Sequence, residues 1–434
     1  MITRGFQSPL QTDLYQLAMA SVYHQKQHNP TVTFEYFVRS LPKNRDYLVF
    51  AGLAEALEAV RDMKFTRTET NYLRTLPGFQ SLNESFFLML ERIRFSGDLW
   101  SIPEGTVIQA GMPIIRVTAP LIEAQLLETY LLSVCNFSTS VASKAARMVN
   151  AIGETEVSLF EFGSRRAHGP EAGILAARSA FVAGFKGTSN VEAGIRHNIP
   201  VVGTMAHSFV TAFPTEEEAF NAFYEVFPET SVFLVDTYNT EQAIDSLVGT
   251  EVQGIRIDSG DLAAHAVYAR NKLGPDVKII LSNDMNEHTI ASILERTQEE
   301  GVLPDGFGVG TALSTSKDAP ALGGVYKLVA IHTENGYVGT LKNSPGKPSY
   351  PGVKQVHQKD GVFTVALENE FPDQGTLLEQ IYDQGFQIKP DPTLEEIQQY
   401  CLGQLNVYSK VKHTVQYSKG VEDLRQQVLT KLGI

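Results

Sequence analysis

Polar and charged residues follow a series of short apolar runs in the middle of the sequence, and they are the first candidates for chemistry. They occupy positions 163–166, 205–208, 236–237, 258–261, 283–284 and 310–311. In parallel α/β barrels the functional side chains gather at the carboxyl ends of the strands. Such residues at successive strand ends predict an enzyme with a polar pocket that binds anions.

Arg256 and Asp258 stand two residues apart on a predicted strand, so their side chains share one face. A cation beside a carboxylate suits a ligand with an anionic group and hydroxyls, and carboxylates bind ribose hydroxyls or Mg²⁺. The alternative is structural, because Asp258, Ser259 or Asp261 can cap the helix that follows. Capping explains Asp261 well and Asp258 less well.

The segment Gly306-Phe307-Gly308-Val309-Gly310-Thr311 is a glycine-rich strand end. Small residues let phosphate oxygens approach backbone N–H groups, and Thr311 adds a hydroxyl. A tight turn with close packing explains the same glycines, so both interpretations stay open on this segment alone. The residues that follow lack the third glycine and the helix register of a dinucleotide fingerprint.

Phe162 lies just ahead of Arg165 and Arg166, an arrangement that suits a flat anionic ring. The aromatic face supplies stacking area, and a guanidinium can form two parallel hydrogen bonds to a carboxylate or phosphate. Surface arginines after a strand are the alternative. His207 follows Thr204 at another strand end, where it is either a functional residue or a structural histidine.

Composition and charge exclude several classes of protein. Of the 434 residues, 43% are hydrophobic and 20% are charged, which is typical of a folded chain. The net charge of −13 argues against nucleic acid or an anionic membrane as the main partner. Two cysteines, Cys135 and Cys401, are too few for a disulfide framework or a cysteine-ligated cluster.

Motif spacing excludes further classes. The histidines show no zinc-ligand spacing, and the chain has neither a Gly-x-Ser-x-Gly elbow nor a complete phosphate-binding loop ending in Gly-Lys-Ser/Thr. No apolar run approaches the roughly 18 to 20 residues of a membrane-spanning helix. Residues 1–8 do not resemble a signal peptide. We therefore expect a soluble cytoplasmic protein.

The candidate residues need strands and helices that hold them together. Short apolar runs recur at 157–162, 200–204, 232–236, 254–258, 277–282 and 306–310. Helical stretches lie between them at 170–185, 215–223, 240–248 and 261–273. Continuous apolar strands that alternate with helices predict a parallel sheet covered by helices. This many units in one domain favours a barrel-like closure over an open sheet.

The two ends of the chain have a different pattern. Before about residue 140, helical patterns mix with short strands, and 31–38 alternates at period two, which predicts a strand with one face in water. The tail is predicted to contain helices around 394–402 and 421–432. We predict three parts: an N-terminal α/β domain at 1–140, an α/β barrel at 141–340 and a C-terminal segment at 341–434. The last part is either a small domain or the completion of the first.

Seven short sequence segments, taken in their order along the chain, resemble the nicotinate phosphoribosyltransferase family. They are Thr12-Asp13-Leu14-Tyr15-Gln16, Phe34-Glu35-Tyr36-Phe37-Val38-Arg39, Phe160-Glu161-Phe162-Gly163-Ser164-Arg165-Arg166, Phe185-Lys186-Gly187-Thr188-Ser189-Asn190, Gly203-Thr204-Met205-Ala206-His207-Ser208, Arg256-Ile257-Asp258-Ser259-Gly260-Asp261 and Gly308-Val309-Gly310-Thr311. Each string is weak alone, whereas the ordered set is specific.

The resemblance implies a fold and a reaction. The fold is a funnel-like α/β barrel with an N-terminal α/β sandwich domain and a small C-terminal domain. The assembly is a head-to-tail homodimer with the active site at the subunit interface. The reaction joins nicotinate to phosphoribosyl pyrophosphate and consumes ATP and water. Its products are nicotinate mononucleotide, pyrophosphate, ADP and phosphate, and Mg²⁺ accompanies ATP and pyrophosphate.

The resemblance also implies roles for individual residues. Phe162 would stack on the pyridine ring, with Tyr15 of the partner subunit on its other face. Arg165 and Arg256 would hold anionic groups of nicotinate and of the phosphoribosyl donor, and Asp258 would bind ribose hydroxyls. The remaining substrate-binding residues are expected to be Thr204, Gly308, Gly310 and Thr311, together with Arg39 and Lys342 of the partner subunit, which would face pyrophosphate or nucleotide phosphates.

Two further positions carry specific expectations. His207 matches the histidine that ATP phosphorylates in the family, and its phosphorylation would couple ATP hydrolysis to substrate binding and product release. Ser189 stands where the nicotinamide-specific relative has an aspartate. An aspartate accepts from an amide and repels a carboxylate, whereas serine donates to a carboxylate. Nicotinate is therefore the expected substrate.

Two alternatives stay open at this point. One is another phosphate-binding barrel enzyme, such as a quinolinate-using transferase, which would release CO₂ and need no ATP. The other is a non-catalytic sensor that has kept the nucleotide pocket, although intact His207, Arg256 and Asp258 argue against such decay.

Overall fold

The computed structural model describes residues 6, 8–344, 349–359, 361–408 and 413–434. Residues 1–5 and 7, which contribute to the expectation of no signal peptide, lie outside this set. The strands are β1 Thr31–Val38, β2 Leu48–Val49, β3 Asp98–Ser101, β4 Val107–Ile108, β5 Ile115–Pro120, β6 Ser158–Glu161, β7 Gly187–Thr188, β8 Val232–Leu234, β9 Gly254–Ile257, β10 Lys278–Leu281, β11 Gly306–Val309, β12 Gly324–Thr333, β13 Gly336–Gly339, β14 Lys354–Lys359, β15 Val362–Leu367, β16 Glu379–Asp383, β17 Phe386–Gln387 and β18 Thr414–Tyr417.

Helices make up much of the remaining chain. They are α1 Leu14–Gln25, α2 Leu53–Arg61, α3 Arg67–Thr75, α4 Glu84–Arg92, α5 Leu121–Leu126, α6 Glu128–Ile152, α7 Pro170–Val182, α8 Val191–His197, α9 His207–Val210, α10 Glu216–Val226, α11 Thr240–Ser246, α12 Leu262–Leu273, α13 Glu287–Glu299, α14 Thr311–Ser314, α15 Leu394–Tyr408 and α16 Lys419–Leu432. None of the described helices combines the length and apolar character that crossing a bilayer requires.

The chain folds as two compact units. The first combines Met1–Ser140 with Ala321–Ile434, and the second is Val141–Pro320. This grouping differs from the three-part division of the sequence, because the tail packs with the first unit. β12, placed in the barrel segment by the sequence, pairs antiparallel with β1. Of the two interpretations of the tail, the grouping matches the one in which it completes the first domain.

The second unit contains a six-stranded parallel sheet in the order β7-β6-β11-β10-β9-β8. Between these strands lie helices such as α7, α11, α12 and α13, as the alternating pattern predicted. The protein is therefore an α/β protein with a parallel sheet. The order found among the described strands has two edges, at β7 and β8, and no pairing joins them.

One predicted strand of this sheet is wrong. Residues 200–204 do not form a strand; only Val201 makes an isolated bridge, to Thr188. The sixth strand is instead the two-residue β7, which pairs with the end of β6. Thr188 N–H donates to Pro200 O at 3.0 Å and Val202 N–H donates to Thr188 O at 2.9 Å, so the predicted strand is reduced to a single bridge beside β7.

Polar side chains set the start of several helices after the strands. Asp261 caps α12 by accepting from Ala264 N–H at 3.2 Å, as the sequence predicted. Asn190 caps α8 in the same way through Ala193 N–H. These caps fix where each strand-end loop stops and its helix begins.

The first unit is built on a seven-stranded antiparallel sheet in the order β13-β12-β1-β5-β3-β16-β17. β1 lies inside this sheet, between β12 and β5, and the prediction that one of its faces is in water is wrong. Thr33 and Glu35 are 0% and 1% exposed. Glu35 forms an ion pair with buried Lys354 at 2.9 Å, which explains how a carboxylate is tolerated there.

Candidate active site

A cavity of about 420 Å³ opens at the carboxyl edge of the parallel sheet. Its lining comes from residues just beyond the ends of several strands, as expected for an α/β fold. Nine of the predicted site residues line it: Phe162, Arg165, Ser189, Thr204, Arg256, Asp258, Gly308, Gly310 and Thr311. Residues from distant parts of the sequence thus meet in one pocket.

Phe162 forms an aromatic wall of the cavity. It follows β6, and its N–H donates to Val309 O at 2.7 Å, which ties it to β11. A Cβ at Gly308 would lie 2.4 Å from the Phe162 ring. Glycine is therefore required at position 308 by packing against the aromatic ring, which supports the close-packing interpretation for this one glycine.

Arg256 projects from β9 and forms a hydrogen bond with Thr204, which also lines the cavity. Its Nη1 donates to Thr204 Oγ1 at 2.8 Å, while its buried Nε has no hydrogen-bond partner in the described structure. Burial lowers the pKa of Arg256, and the charge of Arg165 lowers it further, whereas Asp258 and Asp236 raise it. A partly desolvated guanidinium with a free donor is suited to binding an anion.

Asp258 lies at the end of the same strand and is fixed by its neighbour. Ser282 Oγ donates to its Oδ1 at 2.5 Å, and 28% of the Asp258 side chain is exposed. Ser282 therefore occupies one oxygen while the other remains accessible. Such a carboxylate can accept from ligand hydroxyls, as the sequence analysis expected.

His207 begins the short helix α9 directly after the lining residue Ala206. Its Nε2 lies 3.9 Å from Asp236 Oδ2 and 3.9 Å from Asp258 Oδ2. Its Nδ1 forms a hydrogen bond with Thr237 Oγ1 at 3.2 Å. Although His207 does not line the cavity, it stands at its acidic border with 42% of its side chain exposed.

The other walls of the cavity present donors to the interior. Arg165 and Ser189 are exposed, and both follow short strands that pair with one another. Gly310 and Thr311 mark the point where β11 ends and α14 begins. The first N–H groups of a helix have no intrahelical acceptor, so this end of the cavity offers backbone donors and a hydroxyl.

The structure adds lining residues that the sequence analysis left without a role. Asn283 and Asp284 line the cavity in left-handed backbone conformations, with φ of 89° and 37°. Both positions stand among the polar strand ends, which is the signal that could have found them. Ser282 belongs to an apolar run, and no sequence feature distinguishes it.

Asp236 is the second carboxylate beside His207. Its side chain is 1% exposed; Oδ2 accepts from Ser259 Oγ at 2.6 Å, and Oδ1 has no partner in the described structure. No group of three or more His, Cys, Asp or Glu side chains is arranged to hold a metal within the described ranges. Two carboxylates alone fit a Mg²⁺ ion that takes its other ligands from phosphates and water.

The three remaining predicted residues belong to the first unit. Tyr15 is 48% exposed on α1, and Lys342 is exposed beyond β13. Arg39 follows β1, and its Nε is buried without a partner in the described part of the chain. Burial lowers the pKa of Lys327 on β12, and the charges of Arg39 and Lys342 lower it further against the effect of Glu128. Arg39 and Lys342 thus both act electrostatically on Lys327 within this unit.

Comparison with known proteins identifies similar chains. A model of the nicotinate phosphoribosyltransferase N-terminal domain matches residues 10–136, and the nicotinate phosphoribosyltransferase family model matches residues 157–374. The nicotinate phosphoribosyltransferase pncB2 of Mycobacterium tuberculosis is 39% identical, with 94% of this chain and 89% of the relative covered. The nicotinate phosphoribosyltransferase of Bacillus subtilis is 38% identical, with coverages of 96% and 94%.

A solved structure shows the same relationship in three dimensions. The crystal structure of human nicotinic acid phosphoribosyltransferase superposes with a TM-score of 0.79 at 26% identity. The match covers 96% of this chain and 99% of the human chain. The similarity therefore extends over both units.

Proposed function

The chain belongs to the nicotinate phosphoribosyltransferase family, and from that premise we propose that it transfers phosphoribosyl from 5-phosphoribosyl 1-pyrophosphate to nicotinate. The product is nicotinate mononucleotide, and the reaction is the first step of NAD synthesis from nicotinate. The observation that carries the proposal is the composition of one cavity. It joins an aromatic face and an arginine to an Arg256–Asp258 pair and a glycine-rich strand end.

Nicotinate is proposed to bind at the Phe162 side of the cavity. The ring of Phe162 offers a flat apolar face for the pyridine ring. Arg165 offers a bidentate fork for the carboxylate, and Ser189 offers a hydroxyl donor. Tyr15 of a second copy of the chain would cover the other face of the pyridine.

The phosphoribosyl donor is proposed to bind along the rest of the cavity. Asp258, with one oxygen held by Ser282, would accept from the ribose hydroxyls. Arg256 would bind an anionic group through its unpartnered Nε. Gly310 and Thr311 would bind the 5-phosphate through backbone N–H groups and a hydroxyl.

The chemical step forms one bond and breaks another at the same carbon. The pyridine nitrogen attacks C1 of the ribose as the C1–O bond to pyrophosphate breaks, and the electron pair leaves with pyrophosphate. The attacking nitrogen carries a lone pair and no proton, so the step needs no general base. The enzyme must instead stabilise an oxocarbenium-like ribose and a leaving anion.

Charge neutralisation of pyrophosphate has two proposed sources. The cluster of Arg39, Lys327 and Lys342, supplied by the first unit of a second copy of the chain, would bring positive charge to the pyrophosphate. Mg²⁺ bound with pyrophosphate would add further positive charge, and Asp236 and Asp258 are the residues that would hold it.

ATP hydrolysis is proposed to be coupled through His207. Phosphoryl transfer from ATP to the imidazole gives ADP, and hydrolysis of the phosphohistidine by water gives phosphate. The exposed ring beside Asp236 and Asp258 supports this role. Family membership supports three finer parts of the proposal: a funnel-like closure of the sheet, a head-to-tail homodimer with shared active sites, and a cytoplasmic location.

Product analysis tests the proposed function directly. The protein is incubated with nicotinate and phosphoribosyl pyrophosphate, with and without ATP, and the products are separated by chromatography. We expect nicotinate mononucleotide and pyrophosphate, with ADP and phosphate when ATP is present. Turnover of quinolinate with release of CO₂ and no ATP use would contradict the proposal, and so would bound nicotinate mononucleotide without any turnover.

A further inference from the structure

A ring of buried and half-buried hydrogen bonds lies behind the Phe162 wall of the cavity. Glu161 Oε1 accepts from Gly163 N–H at 2.5 Å, and Glu161 Oε2 accepts from Thr188 Oγ1 at 2.6 Å. Thr188 Oγ1 accepts in turn from Asn190 N–H at 3.0 Å, and Asn190 Nδ2 donates to Ser164 Oγ at 2.9 Å. We call this set the Glu161 ring.

The Glu161 ring joins the two strand-end turns that carry the proposed nicotinate contacts. Phe162 and Arg165 are direct neighbours in sequence of Glu161 and Ser164, and Ser189 stands between Thr188 and Asn190. The cavity residues Phe162, Arg165 and Ser189 therefore extend from backbone that the ring holds.

We propose that Glu161 is a positioning residue that sets the spacing between the Phe162–Arg165 turn and the Ser189 turn, and thereby the affinity for nicotinate. The inference rests on the proposed function, because it concerns the ligand of that same cavity. Glu161 is 0% exposed, so it acts only through the residues that it holds.

The ring uses two acceptors at position 161. Both partners donate: an N–H that cannot reverse its direction and a hydroxyl that already accepts from Asn190. Glutamine keeps one acceptor for Gly163 N–H, but its NH₂ would force the Thr188 hydroxyl to turn around and accept, which costs the hydrogen bond that Thr188 now donates. Burial raises the pKa of Glu161 although both hydrogen bonds counteract it, in agreement with a carboxyl group that acts through hydrogen bonds rather than a paired cation.

Crowding at Gly163 supports the same assignment. A Cβ at this position would lie 2.6 Å from Ser314 Cβ and 2.9 Å from Glu161 Oε1. The turn is thus confined between Glu161 on one side and α14 on the other. A change at Glu161 is transmitted to Phe162 and Arg165 because the turn has little room in which to relax.

The kinetic arm of the experiment separates positioning from general stability. We expect Glu161→Gln to raise KM for nicotinate about tenfold while KM for phosphoribosyl pyrophosphate stays within about twofold. Thr188→Val should give a similar nicotinate effect, and Thr188→Ser, which keeps the hydroxyl, should restore wild-type values. The Glu161→Gln/Thr188→Val double variant should be no worse than the more affected single variant, because both changes break one ring.

Asp305→Asn is the matched control at the opposite edge of the same sheet. Asp305 also accepts from a backbone N–H, that of Ile279 at 2.9 Å, and its side-chain partners among the described residues, Ile279, Arg270 and Lys278, do not line the cavity. We expect its KM values to match wild type. The proposal would be overturned if Glu161→Gln raised both KM values equally. It would also be overturned if Thr188→Ser did not keep the wild-type KM for nicotinate.

A hydrogen-exchange experiment distinguishes failure of the positioning proposal from failure of the proposed function. Amide hydrogen exchange, followed by mass spectrometry of peptides covering 160–167 and 186–192, should accelerate in both segments of Glu161→Gln and in neither segment of Asp305→Asn. Unchanged exchange would overturn the positioning role even if the enzyme uses nicotinate. Absence of nicotinate turnover in the wild-type protein would instead overturn the proposed function, whatever the exchange result.

Discussion

The two edges of the parallel sheet use the same kinds of charged residues in opposite ways. At the amino edge, Asp305 accepts from Ile279 N–H, from Arg270 Nη2 at 2.7 Å and from Lys278 Nζ at 2.9 Å. At the carboxyl edge, Arg256 Nε and Asp236 Oδ1 are buried with no partner in the described residues. Buried polar groups are nearly always hydrogen-bonded, so these two open groups beside the cavity are available to bind a ligand.

This difference separates stability from function within one sheet. The carboxylate at the amino edge is satisfied by the protein itself, so its value lies in holding strands together. At the carboxyl edge, by contrast, some donors and acceptors remain available to a ligand. Substitutions at the two edges should therefore change different properties of the protein.

Replacing a carboxylate should affect catalysis at one edge only. We expect Asp258→Asn to lower kcat/KM for phosphoribosyl transfer by about 10²–10³-fold, because the carboxylate contacts the ribose where charge develops. Asp305→Asn should leave kcat/KM within about twofold of wild type. Initial rates with nicotinate and phosphoribosyl pyrophosphate give both values. Comparable losses of activity in the two variants would contradict the contrast between the edges.

A new charge at the carboxyl edge should change substrate choice. Ser189→Asp is expected to lower kcat/KM for nicotinate about 100-fold, because the new carboxylate repels that of nicotinate and no longer donates a hydrogen bond. Ser189→Asn is the control of similar shape without charge, and its loss should be smaller. The measurement is the ratio of nicotinate to nicotinamide activity, and an unchanged ratio in Ser189→Asp would show that position 189 does not select the substrate.

His207, which lies beside Asp236 and Asp258, should account for the effect of ATP on the reaction. In His207→Ala we expect no acid-labile phosphate after incubation with labelled ATP, and a loss of about tenfold stimulation by ATP. His288→Ala is the control, since its side chain is 81% exposed on α13. Autoradiography after acid and neutral treatment provides the readout. Phosphate that persists in His207→Ala would show that another residue accepts it.

At the amino edge of the sheet, Asp305 should contribute to stability in a pH-dependent way. Burial raises the pKa of Asp305, but hydrogen bonds from Ile279, Lys278 and Arg270 lower it more, so the net shift is downward. Its contribution is complete above the unfolded pKa of about 4 and is lost as pH falls through the lower folded-state pKa.

We therefore expect Asp305→Asn to reduce the free energy of unfolding by about 1–3 kcal/mol at pH 7. The difference from wild type should shrink as the pH falls below about 4. Urea unfolding at pH 7 and thermal melts from pH 7 to 3 measure the two quantities. A difference that grows on acidification would reverse the assigned sign of the pKa shift.

Local patterns in the sequence predicted much of the second unit. The runs around 254–258, 277–282 and 306–310 became β9, β10 and β11, because β-branched and other apolar residues suit a sheet covered by helices. Asp261 caps its helix as predicted from its position. Polar residues from several predicted strand ends also line one cavity, since parallel strands place their carboxyl ends at one edge.

Other features depended on partners that the sequence does not reveal. The alternation in β1 predicted a wet face, yet Glu35 is buried because Lys354, distant in the sequence, pairs with it. Position 161 was not predicted to be functional, because its partner Thr188 lies on another turn, where Thr188 in turn accepts from Asn190 N–H. A hydrogen-bonded ring of this kind becomes visible only when strands that are far apart in the sequence are paired.

By itself, the sequence determined the chemical groups at the strand ends, the family resemblance and the alternating α/β pattern. These are local properties, set by residue type and spacing. Only the tertiary structure decided that Gly308 makes room for Phe162, that Thr204 holds Arg256, and that the tail joins the first unit. The physical reason is that packing space, desolvation and hydrogen-bond direction are properties of pairs of residues brought together by folding.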